Sequence, residues 1–145
     1  MSKTEKLTRT AQHIQTDLTA FLTKILARKA GEEGILICDD DENFRAFFKT
    51  ILKDTGHKIL EARDGEECIK ILERESPSLL FLDLVMPGVS GFDVLRRLQQ
   101  NDDLTVVVTG KSLEKEEKEL LKDKCDYWMQ KPFVGESGNW SLTLL

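Results

Sequence analysis

Five polar residues lie directly after four short apolar runs in this chain, and their side chains suit phosphoryl chemistry. Asp39 and Asp40 follow the first run, Asp83 the second, Thr109 the third, and Lys131 closes the fourth. In an open parallel sheet, ligands bind in the crevice outside the carboxyl ends of the strands. If the four runs are parallel strands, these three carboxylates, one hydroxyl and one ammonium meet in one place.

Three carboxylates brought together repel one another and raise one another's pKa values unless a cation lies between them. Mg²⁺ (or Mn²⁺) suits such a site, because hard cations bind carboxylates, water and phosphate oxygens. One of the carboxylates can then act as a nucleophile and form an acyl phosphate. The metal, the Lys131 ammonium and the Thr109 hydroxyl would neutralise and position the transferred oxygens. The residue types therefore predict a metal site that accepts a phosphoryl group.

From Ile35 onward, strand-like apolar runs alternate with segments of helical period, which is typical of βαβ units and a parallel sheet. Continuously apolar runs are expected for strands that are covered on both faces. The predicted strands lie near Ile35–Cys38, Lys58–Ala62, Leu79–Leu82, Thr105–Val108 and Tyr127–Gln130, and the predicted helices near Glu42–Asp54, Glu66–Glu75, Phe92–Gln100 and Leu113–Asp123. The sequence thus predicts an α/β domain over residues 35–133.

The two ends of the chain depart from this alternation. Apolar residues recur at spacings of four and three within residues 1–30, which predicts an amphipathic helical arm near Thr8–Arg28. Residues 31–34 form a glycine-flanked linker. Residues 134–145, where a fifth covering helix is due, carry no full amphipathic period and are predicted to be an irregular tail.

We therefore expect the arm to replace a missing or truncated fifth helix. The predicted interface residues on its apolar side are Ile14, Leu18, Phe21 and Ile25. The arm could pack on its own domain, or on a second copy to form a homodimer with exchanged arms.

Charge and composition restrict the function classes. The net charge is −5, but six basic and two acidic residues give residues 1–30 a charge of +4 and leave −9 on the rest. An acidic body argues against nucleic acid as a ligand. No apolar run approaches the ~20 residues that a membrane helix needs. The early lysines have no apolar segment behind them, so a secretory signal is not expected. Three scattered cysteines are typical of a reducing compartment, so a cytoplasmic protein is expected.

Several segments resemble the receiver domains of bacterial two-component response regulators, of the chemotaxis type that stands alone. They are Ile35–Asp41, Glu61–Gly65, Phe81–Gly88, Ser90–Leu95, Val108–Gly110 and Lys131–Phe133. The resemblance covers Gly34 to Phe133 and implies a flavodoxin-like, doubly wound, five-stranded parallel sheet of order 2-1-3-4-5.

The resemblance also implies roles for the acidic residues. Asp83 is identified as the phosphoacceptor. Asp40, Asp83 and the backbone carbonyl of Val85 would bind the metal directly, with Asp39 acting largely through water.

Further roles implied by the resemblance concern the third and fourth runs. Thr109 and Lys131 would hold the phosphoryl group. Trp128 occupies the position of the family's switch aromatic, usually tyrosine or phenylalanine. The Lys131–Pro132 bond corresponds to the family's cis peptide, which would aim the ammonium into the site.

By this resemblance the chain is a phosphoprotein of a phosphorelay, taking its phosphoryl group from a histidine kinase or phosphotransfer protein and signalling to an output protein by contact. Such a domain is no enzyme beyond self-phosphorylation from small donors and slow autodephosphorylation. A pseudo-receiver scaffold or the receiver fragment of a hybrid kinase is one alternative. Another is a small Mg²⁺-dependent phosphatase, although Val85 stands where haloacid-dehalogenase-type enzymes have a second aspartate.

Overall fold

The computed structural model describes residues 12–16, 34–53, 56–98, 104–131 and 140–144. The strands in these residues are β1 (Gln12–Thr16), β2 (Ile35–Cys38), β3 (Ile59–Ala62), β4 (Leu79–Leu82), β5 (Leu104–Thr109), β6 (Tyr127–Gln130) and β7 (Trp140–Leu144). The helices are α1 (Glu42–Leu52), α2 (Gly65–Arg74), α3 (Gly91–Arg97) and α4 (Lys115–Lys124). None of these described helices is long and apolar enough to cross a membrane.

Five of the strands form the predicted parallel sheet. Strand β2 pairs with β3 on one side and with β4 on the other, and the ladder continues through β5 to β6. Numbered among themselves, these five strands have the order 2-1-3-4-5, so the predicted doubly wound fold is confirmed. Strands β2 and β4 are buried along their whole length, which explains their continuous apolar sequence.

Helices cover the two faces of this sheet unequally. On one face, α1 packs through Phe48 and Leu52 against side chains from β2, β4, β5 and β6. On the other face, apolar residues of α2, α3 and α4 form a second core with the alternate side chains of the same strands. The three cysteines, Cys38, Cys68 and Cys125, are buried free thiols.

The predicted helical arm is wrong for residues Gln12–Thr16, which form strand β1. The predicted irregular tail is wrong for Trp140–Leu144, which form β7. Strand β7 pairs antiparallel with β6 and with β1, so the sheet has seven strands in the described residues. The physical reason is that β6 would otherwise present a row of unpaired backbone groups at the sheet edge, which a local helical period does not reveal. Ile14 lies within β1.

The remaining interface residues of the arm, Leu18, Phe21 and Ile25, lie outside the described residues. Their burial stays a prediction.

Candidate functional site

The adjacent strands β2 and β4 bring the acidic residues together. Cys38 and Leu82 are partners in register, so Asp39 and Asp83 are the next residues on neighbouring strands. The Asp83 N–H donates to the Cys38 carbonyl at 2.9 Å, which extends the ladder to this point. Carboxylate oxygens of Asp39, Asp40 and Asp83 all lie within 4.8 Å of one another. The structure therefore places the three predicted carboxylates in one cluster.

Lys131 reaches the same cluster from the end of β6. Its backbone N–H donates to the Thr109 carbonyl at 2.8 Å, which holds the residue beside the end of β5. Its Nζ lies 2.9 Å from Asp39 Oδ2 and 3.2 Å from Asp83 Oδ2. The ammonium also lies 4.5 Å from the centroid of the Phe44 ring, within the range of a cation–π contact. Lys131 thus bridges two of the carboxylates.

Burial sets the protonation behaviour of the site. It is the main cause that raises the pKa of Asp39 from an ordinary 3.8 to about 6, against the opposing effects of the Asp41 N–H and Lys131. Burial also raises the pKa of Asp83, again with Lys131 opposing. For Lys131, burial disfavours the ammonium, but the two carboxylates outweigh it and the pKa is raised. One partly buried ammonium does not balance the charge of the carboxylate cluster.

The donor set fits a divalent cation. Asp39 Oδ2 is buried and makes no hydrogen bond of good geometry, its described contact being the ion pair with Lys131. Asp40 is exposed beside it, so the cluster opens to solvent on one side. Hard carboxylate oxygens with room for water are what Mg²⁺ binds. The Val85 N–H lies 3.4 Å from Asp83 Oδ1; the role of the Val85 carbonyl as a ligand stays a prediction.

Thr109 ends β5, between the strands that carry Asp83 and Lys131. The residue is fully buried, and its hydroxyl accepts a hydrogen bond from the Lys111 N–H at 3.1 Å. The hydroxyl therefore lies at the same sheet edge as the carboxylates, where it is hydrogen-bonded to the loop that follows β5.

Trp128 lies on the face of the sheet that α2, α3 and α4 cover. It belongs to the core formed by α2, α3 and α4 and is 7% exposed. Its indole Nε1 is buried with no hydrogen-bond partner among the described residues. Its role as a switch stays a prediction. Pro132 lies outside the described residues, so the cis conformation of the Lys131–Pro132 bond also stays a prediction.

Sequence reasoning missed Arg45, which supports the site from α1. Its Nη1 donates to the Asp39 carbonyl at 2.6 Å, and its Nε lies 3.2 Å from Glu61 Oε1 on β3. The guanidinium is almost fully buried and ties the loop after β2 to the neighbouring strand. A charged residue next to the apolar side of α1, between Phe44 and Phe48, was the available signal.

Gly91 is a second missed determinant, because α3 begins against the backbone of the site. A Cβ at Gly91 would collide with the Asp83 carbonyl and with Leu84 Cα.

We expect Gly91→Ala to lower the free energy of unfolding by about 1–3 kcal/mol, the usual cost of overpacking. Urea unfolding measures this. The control is Gly110→Ala, whose Cβ would meet its nearest atom, Lys131 Cδ, at 4.0 Å. Equal stabilities of the two variants would contradict the proposed clash.

Comparison with known proteins shows which family the sequence matches. A family model described as Response regulator receiver domain matches residues 35–137. The chain is similar to the transcriptional regulatory protein AfsQ1 of Streptomyces coelicolor, with 33% identity over 75 residues, 52% of this chain and 33% of that one. It is also similar to the alkaline phosphatase synthesis transcriptional regulatory protein PhoP of Bacillus subtilis, with 33% identity over 101 residues, 68% of this chain and 42% of that one. The chain thus spans well under half the length of these relatives.

Solved structures show the same likeness. A CheY-like response regulator receiver domain protein from Methanospirillum hungatei has 32% identity and a TM-score of 0.58, over 68% of this chain and 82% of that one. The response regulator TrrA of Thermotoga maritima, solved in complex with Mg²⁺-BeF, has 30% identity and a TM-score of 0.60, over 69% of this chain and 87% of that one.

Proposed function

The chain belongs to the response regulator receiver domain family, and from this membership we propose that it accepts a phosphoryl group on Asp83 and signals by protein–protein contact. The observation that carries the proposal is the geometry around Asp83. Its carboxylate lies within 4.8 Å of those of Asp39 and Asp40 and 3.2 Å from the ammonium of Lys131. The donor is a histidine kinase or a phosphotransfer protein, and the acceptor of the signal is an output protein.

The reaction forms an acyl phosphate. A carboxylate oxygen of Asp83 attacks phosphorus, the new O–P bond forms, and the P–N bond to the donor's imidazole breaks. The bond electrons stay on the imidazole nitrogen, which takes up a proton. Asp39, Asp40, Asp83 and the Val85 carbonyl would hold the metal. When bound, Mg²⁺ supplies positive charge to the oxygens of the transferred group.

Lys131 links this chemistry to a change in the protein. Its ammonium is shared between Asp39 and Asp83 before the reaction. Once Asp83 is phosphorylated, its carboxylate loses its own charge and the charged phosphoryl oxygens become the stronger partners of the ammonium. The Lys131 ammonium, carried just after the end of β6, moves with these oxygens. The Thr109 hydroxyl, whose oxygen accepts from the Lys111 N–H, donates its own proton to a phosphoryl oxygen.

Incubation with acetyl phosphate and Mg²⁺, read by intact mass, tests the proposal. We expect one phosphoryl group per chain, lost on treatment with hydroxylamine and not formed in chelator. Absence of labelling under all metal conditions would favour the pseudo-receiver scaffold. Repeated turnover of phosphate esters without a labelled intermediate would favour the phosphatase.

Replacing Lys131 should change metal affinity. We expect Lys131→Ala to bind Mg²⁺ about tenfold more tightly. The substitution removes an ammonium that competes with the metal for the carboxylates of Asp39 and Asp83, and a charged hydrogen bond is worth ~1.5–3 kcal/mol. The same variant should fail to couple phosphorylation to the conformational change. Calorimetric titration with Mg²⁺ measures the affinity, and Lys131→Arg, which keeps the charge, is the control. An unchanged Mg²⁺ affinity in Lys131→Ala would show that the ammonium does not compete for the site.

A further inference from the structure

One part of the sheet is buried without a described helix over it. On the α1 face, Val106 and Val108 of β5 pair in register with Tyr127 and Met129 of β6. These four side chains are at most 7% exposed. A buried apolar patch of this kind needs a covering element on the same face.

Helix α1 covers the other end of that face. It packs on β2 and β3. The centroid of its Phe48 ring lies 4.8 Å from the centroid of the Phe81 ring on β4. Within the described residues, all helical side chains in this core come from α1. Helices α2, α3 and α4 pack on the opposite face. The cover over β5 and β6 therefore comes from outside the described helices.

Strand topology indicates which segment supplies it. Strand β1 is antiparallel to β7, and β7 is antiparallel to β6, so β1 runs parallel to β2 in the same sheet. Connections between parallel strands of one sheet are right-handed in nearly all cases. The path from β1 to β2 crosses the sheet in the same direction as the path from β2 through α1 to β3. If both crossover connections are right-handed, they lie on the same face of the sheet, which is the α1 face.

Length and sequence agree with this route. Five strand spacings separate β1 from β2 in the sheet order, which is about 24 Å at ~4.8 Å per strand. A helix over residues 17–28 would extend about 18 Å, and residues 29–33, which include most of the linker, would add up to about 16 Å in extended form. Its large apolar residues recur at helical spacing and are Leu18, Phe21, Leu22, Ile25 and Leu26. By contrast, residues 99–103 are all polar.

We propose that residues 17–33 cross the α1 face in cis and cover Val106, Val108, Tyr127 and Met129 with one apolar side. The connecting segment then does for β5 and β6 what α1 does for β2 and β3. Because both ends of the segment lie in one sheet, the cover belongs to the same chain and no exchange of arms between copies is needed.

A double-mutant cycle in the full chain tests this contact. Phe21→Ala and Met129→Ala are made singly and together, and unfolding is followed in urea. If the side chains pack together, the double variant loses at least fivefold less in the folding equilibrium constant than the product of the single effects predicts. The matched control pairs Phe21→Ala with Ile71→Ala, because Ile71 lies in the core on the opposite face; we expect its effects to multiply.

The same cycle with Phe21→Leu and Met129→Val applies if the alanine variants do not fold. Light scattering on each protein gives the oligomeric state. Coupling in a monomer supports the proposal. Equal behaviour of the two pairs overturns it, and coupling that appears only in a dimer shows a cover from a second copy and also overturns it.

Discussion

Asp83→Ala will take up no phosphoryl group from acetyl phosphate and Mg²⁺, whereas the unchanged chain will take up one. Asp83 lies at the end of β4, with its carboxylate 3.2 Å from the Lys131 ammonium and beside those of Asp39 and Asp40. Alanine removes the oxygen that forms the bond to phosphorus but leaves the neighbouring charges in place. Intact mass before and after incubation measures the loss, which should be complete.

The control for this variant is Asp41→Ala. Asp41 is an acidic neighbour in sequence, but its Oδ1 accepts hydrogen bonds from the Asn43 and Phe44 N–H groups and caps α1. Removing the cap should lower stability by ~1 kcal/mol and leave labelling intact. Labelling of Asp83→Ala to the level of the unchanged chain would identify a different nucleophile, such as Asp39 or Asp40, and would contradict the assignment.

The metal-free protein will lose stability as the pH rises from about 4 to about 6. The pKa of Asp39 is raised from 3.8 to about 6 in the folded state, chiefly by burial. An acid with a raised pKa binds its proton more tightly when folded, so its contribution favours folding at low pH and is lost as the pH rises through the folded value. A shift of this size corresponds to at most about 3 kcal/mol. Asp83 adds to the same trend, because its pKa is raised as well.

Asp39→Asn should therefore unfold at a higher temperature than the unchanged chain above pH 6 in chelator. The amide keeps the shape of the side chain without the buried charge, and we expect a gain of about 1–3 kcal/mol. Adding Mg²⁺ should stabilise the unchanged chain more than the variant, because binding to the folded state shifts unfolding.

Asp41→Asn is the matched control, because asparagine caps helices as well as aspartate does and residue 41 is exposed. Its stability should follow the same pH curve as that of the unchanged chain. A melting temperature of Asp39→Asn below that of the unchanged chain throughout pH 6–8 would mean that the ion pair with Lys131 outweighs the cost of burial.

Much of the site was predictable because its determinants are local. The apolar runs of β2, β4, β5 and β6 are continuous, and each ends at a polar residue. Parallel strands end at one edge of the sheet, so residue types at four strand ends were enough to place carboxylates, hydroxyl and ammonium together. The support from Arg45 and Gly91 was not predictable in this way, because it depends on how α1 and α3 approach the strands.

The sequence by itself determined the parallel sheet and the cluster at its carboxyl edge, since apolar runs alternate with helical segments and polar residues stand where four of the runs end. The strand order was implied by the family resemblance. Only the tertiary structure decided that residues Gln12–Thr16 and Trp140–Leu144 form strands. Residues 12–16 carry part of a helical period, yet they pair as β1 with β7, which itself pairs with β6. Backbone groups at an open sheet edge gain hydrogen bonds from any suitable segment, however distant in sequence. A local apolar period cannot report that competition, because the partner strand lies more than a hundred residues away.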